Sequence, residues 1–539
     1  MRAASTTRVP SRVASVRALL LVLLLGLGAC KAVGPDYQPP VPVQPEEFRG
    51  ASNTAESFAN QSWFELFRDP ILQELITTAL RENYDVRSAA ERVVEARARY
   101  RFIDADNYPT IDAVGQQEWT RITGNGPGGL PPGVDRNQQL TSVGASLNWQ
   151  LDFWGRFDRA SEAARADLLA TEYGRVTVLQ SLVIDLAVAY FELIELDAEL
   201  VIARRTLASR EKSARLVQAR LDQGVANAVE MRQAENLVLT SARLIPITEQ
   251  EIEQTENFIR QLMGGLPGPV PRGTLRTDRG ADIDIPAGLP SQLLERRPDI
   301  LVSEMQLIAA NARIGEAKAL LYPTVELTAF GGGASEDLDE VLKAGSGTWS
   351  ILPTVTLPIF NAGRLDANVE VTESIQRQAA LNYLSTLQQA FREVADSLVA
   401  HEKLREVRRV QQLIQEALTD QLHLSNERYR GGVTSYLEVL DTQRDHFDAE
   451  LDLVRSIRDE LISTVLLYRA LGGGWQGTSD LAATGIQEIP VLEAPEGMID
   501  EMAEDDSAPA GAGTDTVPGP GTDTGLDTGT DTQADQGDD

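Results

Sequence analysis

The chain has 539 residues, with 49 Lys and Arg against 80 Asp and Glu, three histidines and one cysteine. A formal charge of −31 excludes a general nucleic-acid binder, because a duplex repels a chain of this sign. The single cysteine excludes an intrachain disulfide and any cysteine-rich zinc or iron–sulfur centre, and histidines at 401, 423 and 446 alone leave little for a His-based metal site.

The N-terminus reads as a targeting segment over residues 1–29. Arg2, Arg8, Arg12 and Arg17 form a positive region, followed by the apolar run ALLLVLLLGLGA at 18–29, too short to span a bilayer. The run stops at Leu27-Gly28-Ala29-Cys30, a match to the bacterial lipobox, in which the cysteine becomes the acylated first residue of the mature chain. The only cysteine in the sequence sits there, so Cys30 is expected to carry a covalent lipid, the sole prosthetic group anticipated. Lys31 follows in place of the aspartate that signals inner-membrane retention, so the outer membrane is the expected address. Removal of the four arginines takes the charge from −31 to −35. Residues 30–68 begin Pro-rich (VGPDYQPPVPVQP) and read as a lipidated, extended tether.

From residue 69 the chain repeats at long period. Arg220-Leu-Asp-Gln-Gly-Val-Ala-Asn-Ala-Val-Glu230 aligns with Arg428-Tyr-Arg-Gly-Gly-Val-Thr-Ser-Tyr-Leu-Glu438, an offset of 208 that recurs for Gly155-Arg156 with Gly363-Arg364 and for Gly264-Gly265 with Gly472-Gly473. Tyr108-Pro109 pairs with Tyr322-Pro323 at 214. Four anchors in one order imply a tandem repeat, 69–265 and 290–473, joined by a linker at 266–289.

Each repeat reads helix, strand, loop, strand, very long helix, tight turn, helix. The first helix starts at Asp69-Pro70, an N-cap with proline at the first helical position, and is expected to run to about Ala105. Strands are expected at about 108–122 and 139–153, flanking GNGPGGLPPG. In the second of them Val143, Ala145, Leu147, Trp149, Leu151 and Phe153 alternate with small or polar residues. The later pair is expected at about 322–335 and 348–360. Proline-free stretches at 156–222 and 364–430 predict helices about 100 Å long. Leu179, Leu182, Leu186, Ala189, Leu193, Leu196 and Leu200 step alternately by three and four, as do Leu384, Leu387, Phe391, Val394 and Leu398, which is a coiled-coil seam. Shorter helices at about 70–105 and 226–262, and at 292–321 and 434–470, add up to the long ones, so they are expected to stack end to end beside them. Pro246 and Pro298 predict a kink or boundary at each. The tail at 474–539 has no Lys or Arg, carries 16 acids and is rich in Gly, Thr, Asp and Pro; it reads as disordered.

Four strands in a membrane leave two open edges, which lipid does not tolerate. Two chains would close an eight-stranded barrel filled by its own side chains, whereas three close a twelve-stranded one with room for water. A homotrimer sharing one barrel is therefore expected: an α+β membrane channel in which a long antiparallel coiled-coil tunnel meets a barrel built from four strands per chain.

The stretches VGPDYQPP, LLERRPDI (Leu293–Ile300), LLYPTVEL, PIFNAGR, RYRGGVTSYLEVLDTQR and YRALGGGW resemble the TolC/OprM-like outer membrane factors, specifically the NodT-like lipoprotein branch, over about residues 33–475. The resemblance implies a trimeric export conduit in the outer membrane that works with a periplasmic adaptor and an inner-membrane pump. The acidic tail and Pro246 depart from the family pattern. By resemblance, the hairpin tips Gly224-Val225 and Gly432-Val433-Thr434 meet the adaptor, and Leu437 and Asp441, with Arg444 nearby, form the periplasmic constriction. Leu437 and Asp441 are four residues apart and share a helix face. At the 208 offset Asp441 maps to Gln233 and Arg444 to Asn236, so only the second repeat can supply an acidic ring. No catalytic constellation or Walker motif is present, no enzymatic activity is expected, and transport energy must come from a partner. A protein-secretion duct shares this architecture and a pore-less coiled-coil scaffold shares its helices; both stay open at this point. His401 is expected to pack within the bundle, and His423 and His446 to lie on helix surfaces.

Overall fold

The computed structural model describes residues 32–40, 48, 57–123, 135–275, 288 and 290–474. The signal segment, Cys30, the loop GNGPGGLPPG, most of the linker and the acidic tail lie outside the described residues. The elements are α1 (Trp63–Leu66), α2 (Pro70–Glu82), α3 (Tyr84–Asp104), β1 (Thr110–Arg121), β2 (Asn137–Leu151), α4 (Arg156–Asp222) and α5 (Ala228–Leu262). In the second repeat they are α6 (Leu293–Arg296), α7 (Pro298–Ala319), β3 (Thr324–Ser335), β4 (Gly347–Thr356), α8 (Arg364–Arg430) and α9 (Tyr436–Ala470).

The two long helices have the expected bounds. Each follows a glycine in the left-handed region, Gly155 at φ 72° and Gly363 at φ 82°. The Asp152 carboxylate accepts from the amides of Arg156, Phe157 and Asp158 at 2.7, 2.8 and 3.1 Å, satisfying donors that the first turn of α4 leaves free. Along the α4 seam Leu179, Leu182, Leu186, Ala189, Leu193 and Ala203 are buried, with Leu186, Leu193 and Ala203 fully covered, while Leu196 and Leu200 are half-buried. One stretch of α4 is apolar enough to cross a bilayer, but it lies in the centre of the bundle, against α7, α5, α3 and α9. Its hydrophobicity is that of a core helix.

The first helix is not continuous to Ala105. It breaks at Asn83, which leaves helical geometry and caps α3, its side chain accepting from the amides of Asp85 and Val86 at 2.8 and 3.1 Å. The same side chain donates to the carbonyl of Leu262 at 2.8 Å. The end of α5 therefore abuts the break between α2 and α3, and Gly264 at φ 71° fits there because a Cβ would lie 2.5 Å from the Glu82 carbonyl. The second repeat builds the same junction from different chemistry. Arg297 precedes α7, donates to the carbonyl of Ala470 at 3.3 Å and pairs with Asp299 and Glu393, while Gly472 sits against Arg296. Short helices do stack end to end beside each long one. Pro298 opens α7 as expected, whereas Pro246 lies inside a continuous α5 and marks no boundary. The second-repeat helix expected from about 292 is a short turn, α6, followed by α7.

The strands form one antiparallel sheet in the order β1-β2-β3-β4, with every bound within four residues of the one expected. β2 and β3 pair directly, with Val143 opposite Gly333 and Leu151 opposite Val325, so the two repeats join at the centre of the sheet. β1 and β4 are its edges.

Candidate channel and gate

The register sorts the sheet into two faces. Ile111 and Ala113 of β1 lie level with Leu147 and Ala145 of β2, which pair in turn with Ala329 and Gly331 of β3, and Trp119 lies level with Gln139. Through Ala329, Leu327 and Val325 the same face continues to Ile351, Pro353 and Val355 of β4. With Val143, Trp149, Leu151 and Trp349 it is apolar over most of its length and gives way to Gln117, Gln139 and Thr141 toward the Trp119 end. The opposite face carries Asp112, Gln116, Glu118, Ser142, Ser146, Asn148, Gln150, Glu326, Thr328, Ser350 and Thr354. One face suits hydrocarbon and the other water, the pattern of a transmembrane barrel wall. Trp119, 69% exposed, stands toward one end of this face and Trp149 toward the other, where the membrane–water interfaces favour tryptophan, while Trp349, 76% exposed, lies between them opposite Gly331. Both edges carry unpaired backbone groups, which hydrocarbon forbids, so the wall closes only with further copies.

At the far end of the long helices the chain reverses twice. Gly224 and Gly432 each adopt φ 72°, and the amides of Val225 and Val433 reach back to the carbonyls of Arg220 and Arg428 at 2.9 and 3.0 Å. This C-terminal helix stop needs a positive φ, which glycine supplies without strain. The turns are not chemically alike. Asn227 caps α5 by accepting from the Glu230 amide at 3.0 Å, whereas Ser435 makes no such bond. There the Thr434 hydroxyl donates to Glu438, which also pairs with Arg428 at 3.2 Å. Val225 and Val433 are 63% and 72% exposed.

Leu437 and Asp441 both face outward on α9, Leu437 at 52% exposure. Arg444 lies 3.5 Å from the Asp441 carboxylate and 3.1 Å from that of Asp445, so one guanidinium serves two acids. The tip of the α8–α9 hairpin is joined to the α4–α5 hairpin by an apolar cluster of Val217, Ala234, Tyr429, Tyr436, Val439 and Leu440. Arg220 lies 4.5 Å above the Tyr429 ring. Further along α4, Arg210 is buried, donating to the Ser241 hydroxyl at 2.7 Å and the Leu237 carbonyl at 3.1 Å, with its guanidinium 4.8 Å over the Phe447 ring. Burial holds the Arg210 pKa below the ordinary guanidinium value, with Asp448 acting in the opposite sense.

Two features were not foreseen from sequence. The segment around VGPDY is no free tether: Val33 donates to the Trp154 carbonyl at 2.9 Å, Asn311 to the Pro35 carbonyl at 2.9 Å, and Arg159 to Asp36 at 2.9 Å. Tyr37 donates to Glu304 at 3.3 Å and packs against the cluster of Ile300, Leu307, Tyr383 and Leu387. The strap thus crosses from α4 to α7 directly below the sheet, where Trp154 also donates to the Pro323 carbonyl at 2.7 Å. Second, His446 is not a plain surface residue: its Nε2 meets the Thr419 hydroxyl at 3.1 Å, and its side chain is only 16% exposed. His423 is exposed and His401 buried, with Nδ1 3.1 Å from the Ser463 hydroxyl. Among the described residues no group of His, Cys, Asp or Glu is arranged to hold a metal ion.

The family model for outer membrane efflux proteins matches residues 75–265 and 289–473. The chain belongs to that family. The cation efflux system protein CusC of Escherichia coli O6:H1 (strain CFT073) is 37% identical over 457 residues, covering 84% of this chain and 97% of that one. The solvent efflux pump outer membrane protein SrpC of Pseudomonas putida is 36% identical, covering 85% and 98%. Among solved structures, a membrane protein from Pseudomonas aeruginosa superposes at a TM-score of 0.76 with 32% identity, covering 84% of this chain and all of that one. A CusC structure superposes at 0.74 with 35% identity, covering 82% and 100%. As an outer membrane efflux protein the chain is one protomer of a trimeric channel, and the open edges of β1 and β4 are where its neighbours add their strands. It resides in the outer membrane and serves as the channel component of an efflux system.

Proposed function

We propose that the protein is the passive exit duct of a tripartite pump. An inner-membrane transporter supplies the energy, a periplasmic adaptor engages the hairpin tips at Gly224-Val225 and Gly432-Val433-Thr434, and the trimer conducts cargo through the tunnel and barrel to the exterior. The observation that carries this reading is the sheet with one apolar face, one polar face and two open edges, set on paired helices about 100 Å long. Acylation of Cys30 would tether the chain to the inner leaflet of the outer membrane close to the docked strap.

The closed state of the duct is set at Leu437 and Asp441. Threefold symmetry would place three leucines and three carboxylates around the axis, with Arg444 relieving the repulsion that close like charges suffer. Opening parts the α8–α9 hairpin from α4. The polar face of the sheet carries Asp112, Glu118 and Glu326 and no Lys or Arg, so the barrel favours cationic over anionic cargo. The relatives' names divide between cations and solvents, and the pump rather than the duct chooses among them. The test is single-channel recording of the purified trimer in planar bilayers with Asp441→Ala. Higher conductance supports the gate, and an unchanged conductance removes Asp441 from it.

A further inference from the structure

The attachment of the α8–α9 hairpin to α4 changes character along its length. Near the tip it is the apolar cluster around Tyr429 and Tyr436, followed by a smaller one of Ile202, Phe447 and Leu451. At the other end lies the main core, which includes Leu186, Tyr190, Leu193, Val394, Val465 and Leu467. Between them the seam is ionic. Glu195 and Glu199, one turn apart on α4, are only 2% and 3% exposed. They face Arg458 and Arg455 of α9 at 3.2 and 2.7 Å.

Two carboxylates in a buried site repel each other, and each needs its cation to remain charged there. The cations are shared: Arg458 also contacts Asp459 at 2.9 Å, and Arg455 lies 3.9 Å from Asp452. Two half-committed arginines do not fully neutralise two buried acids. Other charges facing this seam are already engaged. Arg205 of α4 pairs with Glu450 of α9, which also meets His446 at 3.7 Å, Glu460 of α9 pairs with Arg408 of α8, Glu249 of α5 with Arg204, and Glu256 of α5 with Arg272, which also holds Asp197. On α8, His401 meets Ser463 with Arg405 nearby, and on α4 Glu192 is affected by Arg458. None of these brings a further free cation to Glu195.

We propose that Glu195, buried beside Glu199 and facing Arg458, with Arg455 on Glu199, is a proton-linked latch between α4 and α9: the packed seam holds a proton on the Glu195 carboxyl, and parting of the hairpin releases it to water. The inference rests on the hairpin-parting reading of the gate given above. Burial, then the Glu199 charge, push the Glu195 carboxyl up from 4.5 to about 7 against the pull of Arg458. A raised carboxyl pKa stabilises the packed seam fully below the hydrated value, and that stabilisation fades as pH rises through the raised value. Acid therefore latches the seam and mild alkali loosens it. Three protomers would give the trimer three such latches.

Pulsed dipolar spectroscopy tests this on the reconstituted trimer, with spin labels on cysteines introduced at Ser209 of α4 and Leu453 of α9. In the otherwise wild-type protein the parted population should rise roughly tenfold or more between about pH 5.5 and about pH 8.5. Glu195→Gln mimics the protonated acid and should hold the short distance at both pH values; Glu199→Gln should flatten the response independently. Wild-type distances that do not move with pH overturn the latch, as does a Glu195→Gln protein with an undiminished pH response. Conductance recorded on the same samples separates the two readings. A pH-dependent distance with constant conductance keeps the latch and rejects hairpin parting as the gate. A pH-independent distance alongside Asp441-sensitive conductance rejects the latch and keeps the gate.

Discussion

Arg297→Met should loosen the junction where α9 meets α7 without dismantling the rest of the protomer. The guanidinium donates to Asp299 at 2.6 and 3.0 Å, to Glu393 at 2.7 Å and to the Ala470 carbonyl at 3.3 Å. Methionine retains most of the stem packing and removes the charge. Removing one partner from a fully buried ion pair costs about 3–5 kcal/mol. Here the arginine side chain is 9% exposed, but Asp299 and Glu393 are 38% and 34% exposed and rehydrate when abandoned. The appropriate cost is therefore lower, about 2 kcal/mol including the lost bond to the helix end. If the junction opens locally, that corresponds to roughly 30-fold faster amide exchange. The reporters are the amides of Leu471, Gly472 and Gly473, each bonded back into the last turn of α9 at 2.9 to 3.0 Å. Hydrogen exchange on the trimer in detergent should show them accelerated while the amides around Gly264 remain as in the wild type. Exchange within about twofold of wild type at Leu471–Gly473 would refute the view that Arg297 locks the stacked helices.

Asn83→Ala removes the α3 cap and the bond to Leu262 together, and should cost about 1–2 kcal/mol, read as faster exchange around Gly264 and a lower unfolding midpoint. Gly315→Val should expel the N-terminal strap, because a Cβ there would lie 2.6 Å from the Val33 carbonyl and 2.8 Å from Arg159; protease protection of residues 33–37 checks this, and cleavage no faster than in the wild type would contradict it. Gly432→Ala meets no atom within 4 Å, so its cost is only the left-handed backbone, about 1 kcal/mol, and the trimer should still assemble on a native gel. Asp112→Asn with Glu326→Gln should lower the cation preference of the pore, measured as a reversal potential nearer zero in a salt gradient.

The long helices were legible because their seam repeats over many turns and because a Gly-Arg start and a Gly-Val stop occur twice at one offset. The sheet was legible from the alternation in β2 and from the impossibility of four open-edged strands in lipid. Asn83 was missed although it is a good N-cap, since the apolar pattern of α2 runs on into α3 without a change of period. Pro246 ends no helix: among helices packed on one another, one lost backbone bond does not suffice to break α5. The strap depends on contacts between residues 33–37 and residues more than a hundred positions away, which no local pattern encodes. The same holds for Glu195 and Glu199. Charges within a heptad helix normally face water, and only the approach of α9 buries these two. His446 looked superficial because α9 alone offers it a polar face; Thr419 of α8 covers it.

Single-channel recording of the purified trimer, comparing wild type with Asp441→Ala, bears most directly on the account. A duct closed at its hairpin tips by the second repeat predicts discrete conductance steps that grow larger in the variant at unchanged trimer mass. Steps of identical size in the two proteins, or no conductance from intact trimers of either, would contradict it.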